Sequence, residues 1–405
     1  MKQEKLIGRT ARGVLAAVTF SHLAQHFYVG VSVLYPDIMT SLSLSYTQLG
    51  VMTGTTSIIS GFLQIAWSLL SRYVSKRVLL GIGNLLMSLG CLIMGRARGF
   101  IELIGGNVMS GSGQAAQHPV GTSIITQKFP GEKISRGLAI RYGLGYMGNI
   151  ISPVLLSLIA VSMDWRQATF LLAGIPLMTG LAVLYYLSGE ESALRSIQVS
   201  ERSSIWEDIE SAVRIKTVIL IMAAQAFAVG GTGMGVIITY TPLFLRNYLR
   251  IEIFETSVIY SIAMIGGVLG TIVFGHLSNR VGNLKMAAAI VGSCSVLILL
   301  LTYHNSFTPI LILHLFVIGC TSFAFSSLLR AHLASISTPR QRDIIMGMYF
   351  TLGFGVSSIW TSLTGFLIDL YGSFNPAWIL RAVLGAIAFL LIVWASRSRP
   401  STHTS

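Results

Sequence analysis

Histidine and glutamine side chains recur at helical spacing near the start of the chain. His22, Gln25 and His26 are spaced i, i+3 and i+4, which places them on one face of a helix. Imidazole has an ordinary pKa of about 6.5, so it can take up and release protons at physiological pH. The spacing predicts a proton-carrying or ligand-binding face, with neutral imidazoles hydrogen-bonded to neighbouring helices as the alternative. The i, i+4 pair also matches metal-ligand spacing, but no Cys, Asp or Glu lies beside it.

A third histidine lies on a similar polar stripe. Gln114, His118 and Thr122 repeat every four residues, and Pro119 follows the histidine directly. Proline bends or loosens a helix, because it lacks the backbone N–H. This pattern favours a face that lines a cavity, although a packing kink around a hydrogen-bonded histidine would give the same pattern.

Three arginines, Arg141, Arg330 and Arg381, lie inside apolar segments, and the first two are candidates for function. Arg330 ends a stripe with Ser322 and Ser326, about 9 Å from the inner end of its segment, and Arg141 lies about 6 Å from the inner end of another. A guanidinium at such a depth can bind an anionic ligand or extend along its aliphatic stem to the lipid headgroups. Both interpretations stay open for each arginine. Because Arg141 lies closer to the inner end of its segment, its side chain reaches the headgroups more easily than that of Arg330 does.

The composition shows that these residues belong to a membrane protein. Of the 405 residues 53% are hydrophobic and 11% are charged, and the mean hydropathy is +0.72, whereas a soluble domain carries about 25% charged residues. A soluble globular protein is therefore excluded. The net charge of +13 fits Lys and Arg in cytoplasmic loops better than nucleic-acid binding. The three cysteines lack the spacing of a disulfide or zinc framework.

Charges and turn residues divide the apolar sequence into twelve predicted membrane-spanning helices. A polar linker, residues 188–216, separates an N-terminal six-helix bundle, residues 1–187, from a C-terminal one, residues 217–405. Most of the 28 Lys and Arg fall on one side, which predicts that both termini are cytoplasmic in a cell (inner or plasma) membrane. The predicted spans are 13–36, 46–70, 78–97, 101–127, 137–161, 167–188, 217–245, 256–278, 286–303, 307–336, 344–370 and 375–396.

The two halves resemble each other in sequence. Residues 24–30 read AQHFYVG and residues 224–230 read AQAFAVG. Three glycines of the first half also have counterparts in the second half at a constant offset. Internal repeats of this kind are typical of transporters. The glycine pairs are Gly137 and Gly347, Gly143 and Gly353, and Gly145 and Gly355.

The segment between the eighth and ninth predicted spans, residues 275–285, reads GHLSNRVGNLK. It resembles the signature loop of the major facilitator superfamily. The resemblance implies an all-α membrane protein with twelve transmembrane helices in two pseudo-symmetric six-helix bundles, the major facilitator fold. It also implies that this loop takes part in gating. The residues implied in gating are Gly275, Ser278, Asn279, Arg280 and Gly282.

A narrower resemblance is to the fosmidomycin-resistance type and related drug exporters. In such relatives a histidine of the first span is often followed four residues later by an acid, whereas here His26 follows His22. Asp37, Glu102 and Asp369 lie near extracellular span ends, so a histidine must carry any central proton. Gly145, Gly148 and Pro153 are expected to allow close helix packing. The residues that carry the resemblance are Gln117, His118, Pro119, Arg136, Gly137, Gly145, Gly148, Pro153, Trp165 and Arg166.

These observations predict secondary active transport of a small organic solute by alternating access. The central basic residues favour an anionic or amphipathic substrate, and the narrower resemblance favours efflux, with proton coupling as an option. The alternatives are an uptake symporter or exchanger for an organic anion, and a non-transporting receptor or assembly factor on a transporter scaffold. No Walker A loop, nucleophile elbow or metal cluster is found, so we expect no enzyme activity, no cofactor and no nucleic-acid partner. The expected partners are the substrate, protons and the lipid bilayer, with the protein as a monomer.

Overall fold

The computed structural model describes residues 2–71, 73–129, 133–188 and 205–397, in which every regular element is helical. Residues 189–204 of the predicted linker lie outside the described residues. Two 3-10 segments, Tyr28–Leu34 and Leu301–Tyr303, and one π-helical segment, Phe244–Tyr248, continue neighbouring helices. The helices are α1 (Lys2–Phe27), α2 (Tyr35–Leu42), α3 (Tyr46–Leu70), α4 (Lys76–Arg96), α5 (Phe100–Gln114), α6 (Gln117–Lys128), α7 (Lys133–Ser162), α8 (Trp165–Tyr186), α9 (Ile205–Val213), α10 (Lys216–Gly231), α11 (Met234–Leu243), α12 (Ile253–Val281), α13 (Asn283–Leu300), α14 (Pro309–Ile336), α15 (Pro339–Tyr371) and α16 (Asn375–Arg397).

Eleven helical segments in the described ranges are long and apolar enough to cross a membrane. The first, Ala11–Leu42, joins α1 and α2, and another, Lys216–Tyr248, joins α10 and α11. The predicted fourth span, residues 101–127, is the exception because it is broken between α5 and α6. Pro119 explains the break, since it has no N–H for the carbonyl of Ala115, four residues before it.

The described residues form two compact units. Within the described ranges, the first comprises residues 2–44 and 55–188, and the second comprises residues 45–54 and 205–397. Residues 45–54, which include the start of α3, therefore belong to a different unit from the rest of that helix. The predicted division at residues 187 and 217 did not anticipate this.

Asp369 holds the start of α3 within the second unit. Its carboxylate accepts hydrogen bonds from the N–H of Tyr46 at 3.0 Å, the N–H of Thr47 at 2.7 Å and the hydroxyl of Thr47 at 2.5 Å. The first N–H groups of a helix lack intrahelical acceptors, and the helix N-terminus favours a negative charge. Asp369, at the end of α15, therefore caps a helix distant in sequence.

The part of the linker that the structure describes contains a short helix, α9, which packs against α15. Ala212 is fully buried, and Gln341 donates its side-chain amide to the hydroxyl of Ser211 at 3.1 Å. The predicted polar linker is thus partly a helix docked on the second unit.

The signature segment contains less loop than predicted. Span eight was predicted to end at residue 278, but α12 continues to Val281, and the turn to α13 consists of Gly282 alone, with φ of 94°. This backbone conformation strongly favours glycine. Ser278 is buried and donates its hydroxyl to the carbonyl of Gly275 at 2.8 Å, while Asn279 and Arg280 are exposed. The gating role of these residues stays a prediction.

Candidate functional site

The histidine face of α1 packs against two glycines of α7 within the first unit. A Cβ at Gly145 would overlap the imidazole of His22, and a Cβ at Gly148 would lie 2.8 Å from the Cβ of His26. Both glycines therefore make room for a histidine, in addition to the helix packing that the sequence predicted. Pro153, one turn further along α7, is buried inside the helix.

Three histidines come together in this unit, as the polar stripes suggested. The ring centroid of His22 lies 4.6 Å from that of His26 and 5.5 Å from that of His118 on α6. His22 is fully buried, whereas His26 and His118 are half-buried. The two histidine-bearing faces predicted on separate spans thus form one cluster.

Hydrogen bonds orient the two histidines of α1. The Nδ1 of His22 lies 3.2 Å from the carbonyl oxygen of Arg141, and the Nδ1 of His26 lies 2.9 Å from the Oδ1 of Asn149. Both partners are oxygens that accept, so each Nδ1 carries the hydrogen and donates it. α7 therefore selects the tautomer of both imidazoles, and Nε2 is left as the acceptor.

Gln25 connects the first histidine face with the second. Its Nε2 lies 3.3 Å from the Nε2 of His118, so the amide donates to the imidazole. Gln114 is the last residue of α5, and His118 lies in the first turn of α6. The stripe of Gln114, His118 and Thr122 stays a prediction.

Arg141 is fully buried, which contradicts the interpretation that it extends to the headgroups. Its Nη2 donates to the carbonyl of Gln117 at 2.5 Å, and its Nη1 lies 3.5 Å from the hydroxyl of Thr122. The guanidinium carbon lies 5.1 Å from the ring centroid of Tyr142, within cation–π distance. The described partners of this charge are thus backbone, hydroxyl and aromatic groups.

Two tyrosines of α7 complete the cluster. Tyr142 is stacked with His118 at 6.3 Å between ring centroids and hydrogen-bonds Thr122 at 3.0 Å. The ring of Tyr146 lies 4.7 Å from that of His26. The structure thus places both tyrosines beside the histidines.

A buried amide network that the sequence analysis missed supports the cluster. Asn84 of α4 donates to the hydroxyl of Ser21 at 2.7 Å, and Ser21 donates to the Oε1 of Gln117 at 3.0 Å. All three are fully buried, so the network fixes α1, α4 and α6 relative to one another. The available signal was a single Asn in an otherwise apolar span.

The second unit contains its own polar chain. Arg330 is half-buried, donates from Nε to the carbonyl of Ser326 at 3.2 Å, and lies 5.5 Å from the ring centroid of Phe350. Ser326 hydrogen-bonds the hydroxyl of Tyr349 at 3.1 Å, and Tyr349 donates to the Oε1 of Gln225 at 2.7 Å. These contacts leave both predicted interpretations of Arg330 open.

A further buried arginine lies at the interruption between α10 and α11, within predicted span seven. Arg381 is fully buried and donates from Nε and Nη2 to the carbonyl of Gly231 at 3.0 and 2.8 Å. Gly231 is the last residue of α10, so the cation lies at a helix C-terminus, where the helix dipole stabilises it. Arg141 likewise binds a backbone carbonyl beside the break in span four.

A histidine pair at the end of α13 lies apart from the cluster. His304 and His314 are 2.9 Å apart between Nε2 and Nδ1, and His314 donates from Nε2 to the carbonyl of Leu297 at 2.8 Å. Partial burial lowers the pKa of His304, which lies outside the spans. The sequence analysis missed this pair, because ten residues separate the two histidines.

No group of three or more His, Cys, Asp and Glu residues is placed to hold a metal ion in the parts of the chain that the structure describes. The first unit instead brings neutral hydrogen-bonding groups and one cation together in the interior of a helical bundle. Long apolar helices that surround buried polar side chains are typical of a polytopic membrane protein.

Residues 15–361 match the family model described as the Major Facilitator Superfamily. The chain belongs to the Major Facilitator Superfamily and is an integral, multi-pass membrane protein of a transporter family rather than an enzyme. Its fold is that of a solved variant of the nucleoside transporter NupG, with a TM-score of 0.81 at 14% identity over 94% of this chain and 99% of the other. The predicted fold class is thereby confirmed.

Curated relatives cover nearly the whole chain at low identity. A probable sulfoacetate transporter, SauU, of Cupriavidus necator is 23% identical over 97% of this chain and 95% of its own length. A probable L-galactonate transporter of Escherichia coli is 22% identical over 90% and 84% of the two chains. The fosmidomycin resistance protein of Escherichia coli is 22% identical over 89% of this chain and 87% of its own length. The resemblance to the fosmidomycin-resistance type is therefore confirmed, and the transporters of organic acids are similar to this chain as well.

Gly145→Ala should disturb the cluster, because the added Cβ occupies the position of the His22 ring. We expect a destabilisation of about 1–3 kcal/mol, typical of overpacking, and a loss of most transport activity as His22 moves away from the carbonyl of Arg141. Thermal unfolding and flux in proteoliposomes measure the two effects. Gly143→Ala on the same helix is the control, since no atom lies within 4 Å of its added Cβ. Equal behaviour of the two variants would contradict the prediction.

Proposed function

We propose that this protein is a secondary active transporter of a small organic anion, and that the cluster of the first unit forms part of its substrate and proton pathway. The observation that carries the proposal is that histidines and a fully buried arginine meet in one cluster. The hydrogen-bond partners described above for His22, His26 and Arg141 are carbonyl, amide and hydroxyl groups. Such a site favours negative charge in its ligand. The names of the sulfoacetate and L-galactonate transporters support an organic anion.

We propose His26 as the proton-coupling residue, with His118 as the next candidate. A proton on an imidazole and an anion beside it stabilise each other, so the two bind together and cross in the same direction. This argument favours proton-coupled uptake. Proton-coupled efflux is the second candidate, and the likeness to the fosmidomycin resistance protein supports it.

The proposed arrangement in the membrane follows from the charges of the loops. We propose a monomer in the cell membrane with both termini cytoplasmic, as the positive-inside rule favours. The proposed movement is alternating access, with the solute bound near the bilayer midplane.

Transport in proteoliposomes tests the proposed function. Purified protein is reconstituted, an alkaline interior is imposed, and accumulation of radiolabelled sulfoacetate, gluconate, glucuronate and acetate is measured against protein-free liposomes. We expect accumulation of at least one anion that collapses when a protonophore removes the gradient. Efflux-type coupling would appear as accumulation only with an acidic interior. If no organic anion is accumulated or exchanged under either gradient, the proposed function is wrong.

A further inference from the structure

One turn of α1 presents acceptor atoms whose donors are missing. Among the described residues, the buried Nε2 of His22, Oε1 of Gln25 and Nε2 of His26 have no hydrogen-bond partner. Each Nε2 is an acceptor, because the Nδ1 of the same neutral ring donates to an oxygen of α7. Gln25 uses its amide N–H group for His118, which leaves its carbonyl oxygen unpaired.

Three such atoms in one turn require an explanation. Buried polar groups in folded proteins are almost always paired, and an unpaired one is costly. One proton does not resolve the deficit, since it converts one acceptor into a donor that can pair with at most one of the other two atoms, so at least one atom stays unpaired. A ligand that brings several donors of its own resolves all three.

We infer that this turn of α1 is the subsite for hydroxyl groups of the substrate, and that the substrate is a polyhydroxylated organic acid. This inference rests on the proposed function and makes its substrate class narrower. Each hydroxyl donates one O–H to His22, Gln25 or His26 and can still accept from a donor such as the unpaired Nε of Arg141. A simple carboxylate or sulfonate offers acceptors only, so it leaves the three atoms of α1 unpaired.

Gln25 and His26 are half-buried, and His22 is fully buried. The two imidazoles are 4.6 Å apart between ring centroids, so the unpaired atoms belong to one compact group of side chains. A site of this kind distinguishes substrates strongly, since a ligand without hydroxyls leaves buried polar groups unsatisfied.

The test compares acids matched in length that differ in hydroxyl groups. Binding of gluconate and hexanoate, and of glucuronate and adipate, is measured by calorimetry on the purified protein at about pH 8, where an ordinary imidazole is neutral. We expect at least one hydroxylated acid to bind about tenfold more tightly than its partner, a difference of about 1.4 kcal/mol.

Two substitutions on α1 test whether its side chains cause the preference for hydroxylated acids. His26→Phe keeps a ring of similar shape without nitrogen, and Gln25→Met removes the amide at a half-buried position where folding is less at risk. Either variant should reduce the preference for the hydroxylated acid to about threefold or less. His304→Phe is the control, because it removes a histidine outside the cluster, and it should keep the full preference.

The outcomes separate the inference from the function on which it rests. If hydroxylated and plain acids bind equally to the unmodified protein, or if the preference survives both α1 variants, the inference is wrong although anion transport stands. If neither kind of acid binds or is transported, the proposed function itself fails.

Discussion

His26→Gln should abolish accumulation of substrate driven by a pH gradient. Glutamine can still hydrogen-bond Asn149, which lies 2.9 Å from the Nδ1 of His26, but it cannot carry a proton between pH 5 and 8 as imidazole does. We therefore expect the accumulation ratio in proteoliposomes to fall to about one. Exchange of labelled for unlabelled substrate at equal pH should continue at a rate within a few-fold of the unmodified protein.

The control for this experiment is His304→Gln, since His304 lies outside the cluster and its ring contacts His314. This variant should accumulate substrate normally. If His26→Gln still accumulates substrate at the unmodified rate, His26 is a packing residue, and the same measurement on His118→Gln would follow.

Arg330→Lys should weaken substrate binding about tenfold, although the charge is retained. A guanidinium can bind a carboxylate through two parallel hydrogen bonds, whereas an ammonium offers a point charge. Arg330→Ala removes the charge as well, and we expect a loss of about a hundredfold, or about 2.8 kcal/mol. Calorimetry with the best substrate of the transport assay measures both variants.

The competing interpretation is that Arg330 extends to the lipid headgroups, in which case neither substitution changes affinity. Arg397→Lys is the matched control, because Arg397 is exposed in the last turn of α16. Unchanged affinity in Arg330→Ala, with a normal melting temperature, would exclude Arg330 from the substrate site.

Hydropathy and turn residues predicted the helices, because each span must satisfy its own backbone hydrogen bonds in lipid. Span four, where Pro119 predicted a bend, is interrupted between α5 and α6. Ala115 and Ala116 at the interruption keep right-handed helical backbone angles, so the interruption is a local irregularity of the kind that a proline causes.

The contacts within the cluster were beyond sequence reasoning for a different reason. Spacing along one helix shows which side chains share a face, but it does not show what that face contacts. Asn149 and the carbonyl of Arg141, which orient His26 and His22, lie more than a hundred residues from them in sequence. Arg141 illustrates the same limit, since its depth in the span was known but its partner was a backbone carbonyl that carries no sequence signal.

The two buried arginines also bear on how the chain enters the membrane during synthesis. An arginine inside a membrane-spanning helix is costly to insert into the bilayer. The carbonyl partners, Gln117 for Arg141 and Gly231 for Arg381, both precede their arginine in the chain. Because synthesis proceeds from the N-terminus, each arginine-bearing helix leaves the ribosome after its partner helix. A circular permutation that places α16 before α10 would reverse this order, and its insertion would then depend on an arginine without an acceptor.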